Sequence, residues 1–179
     1  DRLESKGSHL FNFVDSFVVH EGETPLLRLV EQLRADGDLS KVPNLVYKQD
    51  GEVKVNRPFA KEELNALPTP DFDGLPLDLY LSPERVLPVM GSRGCYWEQC
   101  AFCSIPFDHM TFHVRYAENV VNDFKTLQEK YNCNNFFFTD EALPINFLRT
   151  FAAKIIEQKV DVQWTGELKF EKSLLKDDR

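Results

Sequence analysis

Short apolar runs alternate with helical patterns along the second half of the chain. Residues 86–90, 135–138 and 160–164 are short and apolar, which is typical of buried strands. Between them, residues 117–131 repeat apolar side chains at helical spacing, and a second such pattern begins at Pro144. The inward side chains predicted for these two helices are Val120, Val121, Phe124, Leu127 and Tyr131, then Ile145, Leu148, Phe151, Ala152, Ile155 and Ile156. This order of elements predicts parallel βαβ units with right-handed crossovers.

The first third of the chain has a different pattern. Residues 16–20 predict a buried strand, which is followed by a helix with Thr24 as its N-cap and Gly37 as its stop. Residues 45–55 form two apolar runs around an Asp-Gly pair, which predicts a hairpin with a tight turn. From residue 57 to 84 the chain carries half of its prolines, so a linker without regular structure is expected there.

These patterns predict an α/β protein that was cut from a longer one. Residues 1–40 contain one strand and one helix, as at the end of a Rossmann-like domain, and residues 41–84 contain the hairpin and the Pro-rich linker. Residues 85–179 contain three βα units, the last helix beginning near 170–176. Since a complete (β/α) barrel takes about 250 residues, these units are expected to be the first half of a barrel.

Composition excludes several classes of protein. The net charge is −8, and no run of residues is long and apolar enough to span a bilayer. An acidic chain is not expected to bind nucleic acid without sequence preference, because that needs a basic face. The N-terminus does not resemble a secretion signal, so we expect a cytoplasmic protein with reduced cysteines.

Three of the four cysteines fall within nine positions. Cys95, Cys100 and Cys103 have the spacing C-x4-C-x2-C, directly after the predicted strand 86–90. Thiolates are soft ligands that bind zinc, copper(I) or iron–sulfur clusters, and three of them leave one position of a four-coordinate centre open. The alternative is a closed structural zinc site in a module without catalysis, with His109 or His113 as the fourth ligand.

Around these cysteines the sequence resembles the radical S-adenosylmethionine (SAM) enzymes. The resemblance rests on Ser-Arg-Gly-Cys at 92–95, Cys-Ala-Phe-Cys at 100–103, and a later strand that ends in Asp140-Glu141. The upstream segments 18–23, 67–73 and 77–80 are similar to the subclass with an N-terminal cobalamin-binding domain. The first cysteine gap is one residue longer than is usual in the family.

The resemblance implies a set of cofactors and site residues. The three cysteines would bind a 4Fe-4S cluster, whose remaining iron is chelated by SAM, and reduction would cleave SAM to a 5′-deoxyadenosyl radical. Phe102 would lie near the adenine, and Thr139, Asp140 and Glu141 would contact the SAM amino group. The Asp-x-His-x-x-Gly cobalamin signature is absent, so cobalamin is expected only in a longer parent protein.

The same resemblance implies partners and limits. The parent would be an iron–sulfur oxidoreductase or transferase that receives electrons from a flavodoxin or a ferredoxin. The isolated chain is expected to be inactive, because the remaining strands would complete the SAM and substrate pockets. Half a barrel also leaves an open parallel sheet edge, so self-association through that edge is expected.

Overall fold

The computed structural model describes residues 8–105 and 111–172. The chain divides into two compact units, Asp1–Glu62 and Glu63–Arg179. Within the described residues, no helix combines the length and the apolar character needed to cross a membrane.

The first unit is a small antiparallel sheet with one helix. Its strands are β1 (Ser16–Val18), β2 (Leu45–Gln49) and β3 (Glu52–Val55), in the order β1-β2-β3, and α1 spans Glu23–Arg34. Strands β2 and β3 pair antiparallel, which confirms the predicted hairpin. At its turn Asp50 and Gly51 have φ values of 52° and 83°, the left-handed conformation that favours this residue pair.

The predicted N-cap of α1 is wrong. Gly22 occupies that position and makes no side-chain cap, while Thr24 lies inside the first turn. The carboxylate of Glu62 accepts hydrogen bonds from the backbone N–H and the hydroxyl of Thr24, both at 2.7 Å. A carboxylate from a distant part of the same unit therefore satisfies the helix start, where negative charge is favourable.

The second unit contains the predicted parallel sheet. Its strands are β4 (Val86–Val89), β7 (Asn135–Phe138) and β8 (Gln163–Thr165), in the order β4-β7-β8, and both pairs are parallel. The connecting helices are α2 (Ala117–Tyr131) and α3 (Ile145–Glu157). The βαβ prediction is thereby confirmed, although β8 begins three residues later than predicted. Phe170 is not helical, and residues 173–176 of the last predicted helix lie outside the described residues.

One face of this sheet is packed and the other is exposed. The packed face carries an aromatic core, in which the Phe124 ring of α2 stacks on Phe136 of β7 with centroids 4.3 Å apart. On the opposite face Val86, Pro88 and Phe137 are exposed. One helix prediction is wrong, because Ile156 is 76% exposed and Phe147 is buried instead. Phe147 lies one turn before Phe151, so the two rings share the face of α3 that meets the sheet.

Candidate functional site

The three clustered cysteines lie in a loop at the carboxyl edge of the parallel sheet. After β4 the chain forms β5 (Ser92–Arg93), continues through residues 94–105, here called the cysteine loop, and later returns as β6 (His113–Val114). Strands β5 and β6 pair antiparallel, with Ser92 opposite Val114. The segments before and after the cysteine loop therefore hold each other. Gly94, just before Cys95, has a φ of 80° and permits the change of direction.

A buried carboxylate fastens the entry to this loop. Asp140, at the end of β7, accepts hydrogen bonds from the backbone N–H of Gly91 at 3.0 Å and from the Ser92 hydroxyl at 2.6 Å. It also accepts the backbone N–H of Ser92. Asp140 is 3% exposed, and burial raises the pKa of its carboxyl, while the hydrogen bonds from Gly91 and Ser92 lower it.

A buried ion pair holds Arg115, the residue that follows β6, in place. The Arg115 backbone N–H donates to the Gly91 carbonyl at 2.8 Å, and its Nη1 donates to the Met90 carbonyl at 3.2 Å. The same Nη1 lies 2.6 Å from Asp123 of α2, and both side chains are 5% exposed. Thr69 donates its hydroxyl to the other oxygen of Asp123 at 2.6 Å. Arg115, which follows β6, is thus bonded to residues 90–91 after β4 and to α2, and Asp123 links the pair to the Pro-rich segment of the same unit.

The cysteines are free thiols. Cys95 and Cys103 are half-buried and Cys100 is exposed, and the backbone N–H of Cys103 donates to the Cys100 carbonyl at 3.1 Å. In residues 8–105 and 111–172, no group of three Cys, His, Asp or Glu side chains is gathered closely enough to hold a metal ion. The donor chemistry of three free thiols in one anchored loop fits a thiolate-bound metal or cluster.

The histidines of the zinc alternative are placed differently. His113 is half-buried in β6, opposite Arg93. His109 lies outside the described residues.

Two aromatic residues of the cysteine loop contact the segment that follows β8. The Tyr96 hydroxyl donates to Glu171 at 2.8 Å, and the ammonium group of Lys169 lies 3.7 Å from the centroid of the Trp97 ring. Burial, together with the hydrogen bond to Glu171, raises the pKa of Tyr96 to about 12. Tyr96 and Trp97 therefore connect the cysteine loop to the segment that follows β8.

The residues predicted to contact SAM differ in exposure. Phe102 is 93% exposed, Thr139 is exposed, and Glu141 is half-buried. The Thr139 hydroxyl lies 3.3 Å from the Val89 carbonyl, to which it donates. Asp140 points inward and is bound to the loop entry, so of the adjacent residues 139–141 only Asp140 is buried. The predicted SAM contacts themselves stay predictions.

Sequence reasoning missed the groups that anchor the loop. Ser92, Arg115, Asp123 and Thr69 had no predicted role. Ser92 belongs to the Ser-Arg-Gly-Cys motif, and its ability to donate from a hydroxyl as well as from the backbone was the one local signal of this role. The pairing of Arg115 with Asp123 and Thr69 leaves no local pattern.

The sequence comparisons return one informative relative. No family model matches the chain. An uncharacterised methyltransferase of Pyrococcus horikoshii is 30% identical over 163 residues, which are 86% of this chain and 34% of the relative. The chain thus spans about a third of the length of the curated relative that it matches.

Solved structures share this fold. TsrM of Kitasatospora setae, a radical S-adenosylmethionine methyltransferase, matches 88% of this chain with a TM-score of 0.67 and 16% identity, over 32% of its own chain. OxsB, a cobalamin-dependent S-adenosylmethionine radical enzyme, matches 93% of this chain with a TM-score of 0.70 and 19% identity, over 25% of its own chain. The mixed α/β fold with a parallel sheet is therefore one that occurs within both enzymes.

Proposed function

We propose that this chain is the cluster-binding part of a radical SAM enzyme. The observation that carries the proposal is the anchored loop with three free thiols at the carboxyl edge of the parallel sheet, the edge at which α/β folds place their active sites. The likeness of the fold to TsrM and OxsB supports it. In this proposal residues 85–179 are the first half of a (β/α) barrel, and residues 1–40 belong to a Rossmann-like domain.

The chain's own residues have distinct tasks in this proposal. Cys95, Cys100 and Cys103 hold a 4Fe-4S cluster, which when bound supplies the electron for reductive cleavage of SAM. Phe102, with its ring exposed, offers a surface for the adenine. Thr139 and Glu141, on the same sheet edge, are the groups proposed to hold the SAM amine. Tyr96 and Trp97 restrict the access of water to one side of the loop, through their contacts after β8.

The longer protein would be a transferase. Its proposed reaction is methyl transfer, supported by the names of the Pyrococcus relative and of TsrM. Any cobalamin would be bound by parts of the protein beyond these residues, and electrons would come from a flavodoxin or a ferredoxin. The chain by itself is expected to bind the cluster without turning over substrate.

Anaerobic reconstitution with iron and sulfide tests the proposal. The chain should become brown and give the absorption of a 4Fe-4S cluster and, when reduced, its EPR signal. Cys95→Ala should lose the signal. Cys133→Ala is the matched control, since Cys133 is a buried thiol that donates to backbone carbonyls away from the loop. Stoichiometric zinc with no iron uptake, or a Cys95→Ala variant that loads like the wild type, would contradict the proposal.

Self-association is a further part of the proposal. Within the described residues, the sheet β4-β7-β8 has an exposed face and two outer strands without a further partner strand, and such strands commonly pair with another chain. We expect a dimer or larger species whose population grows with protein concentration. A single monomeric mass in light scattering across a wide concentration range would overturn this expectation.

A further inference from the structure

Hydrogen bonds to the loop entry occupy most of the acceptor sites of the Asp140 carboxylate. A carboxylate offers about four lone-pair sites, and Asp140 accepts three hydrogen bonds from Gly91 and Ser92. The side chain is 3% exposed, so its remaining site does not face open solvent. Its neighbours in sequence, Thr139 and Glu141, are more exposed.

The bonds of Asp140 connect two parallel strands at the point where the loop begins. One residue earlier, the backbone N–H of Thr139 donates to the Val89 carbonyl at 2.9 Å, which fixes the ends of β7 and β4 against each other. Asp140 extends this connection to Gly91 and Ser92, and Ser92 precedes Cys95 by three residues. A shift of Ser92 therefore moves Cys95.

We propose that Asp140 is a positioning residue that sets the place of the cysteine loop before any cofactor binds, and that it does not contact SAM. The inference rests on the proposed function only in so far as the loop thiols take a metal. Removing a residue that orients metal ligands without itself binding the metal typically lowers metal affinity by about 10- to 100-fold. Asp140 acts in this way through Ser92.

Thiol alkylation of the metal-free chain tests the positioning without any cofactor. Asp140→Asn places an amide N–H₂ where backbone N–H groups need acceptors, so the loop entry is released. Cys95 should then be alkylated several-fold faster, as read by mass spectrometry, while Cys133, 2% exposed, should stay unchanged. Glu118→Gln is the matched carboxylate-to-amide control, since Glu118 pairs with Lys154 on the helices α2 and α3.

A second experiment measures the affinity of the chain for Co²⁺ alone, by titration followed through the thiolate-to-Co²⁺ charge-transfer absorption. Asp140→Asn should weaken Co²⁺ binding by about 10-fold or more. Ser92→Ala should lose less Co²⁺ affinity than Asp140→Asn. Ser92→Thr, which keeps the hydroxyl, should bind Co²⁺ like the wild type. In the longer protein, reconstituted with iron and sulfide, any Asp140→Asn variant that is loaded should bind SAM with wild-type affinity, whereas Glu141→Gln should bind it more weakly.

The outcomes separate this inference from the proposed function. If Asp140→Asn matches Glu118→Gln in alkylation and Co²⁺ affinity, or weakens only SAM binding, the positioning role is wrong. If Cys95 and Cys133 become reactive together, the Asp140→Asn variant has unfolded. The ratio of the Cys95 and Cys133 alkylation rates in Ser92→Ala then decides whether the contact between Asp140 and Ser92 positions the loop. A wild-type chain that takes up Co²⁺ but forms no iron–sulfur cluster would overturn the proposed function and leave the positioning test valid.

Discussion

The two edges of the parallel sheet in the second unit use charged residues in opposite ways. At the carboxyl edge, Asp140 and the pair of Arg115 and Asp123 are buried, and Asp140 and Arg115 also bond to residues 90–92 at the loop entry. At the amino edge, Lys130 lies 2.9 Å from Asp71 and 2.8 Å from Asp73, and all three side chains are at least 40% exposed.

This difference shows which edge has to keep its shape. A buried charge without its partner is costly, so the arrangement at the carboxyl edge is strongly specified. An exposed ion pair contributes little and is screened by salt, so the amino edge can adjust. The edge with the buried charges is the one that carries the cysteine loop, as expected for a site whose ligands must stay in place.

Breaking the buried pair should have the largest effect. Asp123→Asn leaves the Arg115 guanidinium, 5% exposed, without a counter-charge, and should lower the free energy of unfolding by about 3–5 kcal/mol. Urea denaturation measures this change. Arg115→Met combined with Asp123→Leu should recover most of the loss, because no uncompensated charge remains.

The amino edge supplies the comparison. Asp73→Asn removes a carboxylate from the exposed Lys130 cluster and should change stability far less than Asp123→Asn. If Asp73→Asn and Asp123→Asn lowered the free energy of unfolding equally, burial would not explain the difference between the two edges.

The close contact between the Gly91 backbone and the Phe147 ring at the carboxyl edge predicts the next largest loss of stability. A Cβ on Gly91 would lie 2.7 Å from the Phe147 ring, so Gly91→Ala should cost about 1–3 kcal/mol in urea denaturation. Phe147→Leu in the same chain should recover part of that cost. Gly74, at the amino edge, has a φ of 85° with no atom near its missing Cβ, so Phe147→Leu should not rescue Gly74→Ala. Rescue of both, or of neither, would contradict the packing explanation.

The sequence predicted elements whose determinants are local. The strands and helices of the second unit follow from apolar spacing, and the hairpin follows from its Asp-Gly turn, because each pattern is contained in a few consecutive residues. The cysteine spacing is also a local pattern, and the soft-metal site that it predicts stays a prediction. Ile156 was placed on the wrong face because its helix has apolar residues on both sides of the buried stripe.

What escaped prediction depends on partners far along the chain. Asp140 is 48 residues from Ser92, and Thr69 is 54 residues from Asp123. Thr24 has the composition of an N-cap, yet the acceptor that it meets comes from Glu62, 38 residues later. Local propensity cannot identify such partners, because they exist only once the fold has brought the segments together.

The smallest predicted effect distinguishes the two edges by pH. Burial raises the folded pKa of Asp140 above its ordinary value of 3.8, so its contribution to stability is greatest below that pH and declines as the pH rises. Hydrogen bonds, first from Lys130, lower the folded pKa of Asp71, so its contribution is complete above 3.8 and is lost as the pH falls. The difference in unfolding free energy between wild type and Asp140→Asn should therefore shrink from about pH 3 to about pH 7, and that for Asp71→Asn should grow.

Salt sharpens this last comparison. Urea denaturation at each pH, repeated at about 1 M salt, should flatten the dependence for the exposed Asp71 and leave that of the buried Asp140 nearly unchanged, since screening reaches exposed charges first. Two slopes of the same sign would mean that the edges do not differ in how they hold their carboxylates. If salt flattened the pH dependence equally for Asp140 and Asp71, solvent would have to reach Asp140. The proposal that a buried Asp140 positions the cysteine loop would then be wrong.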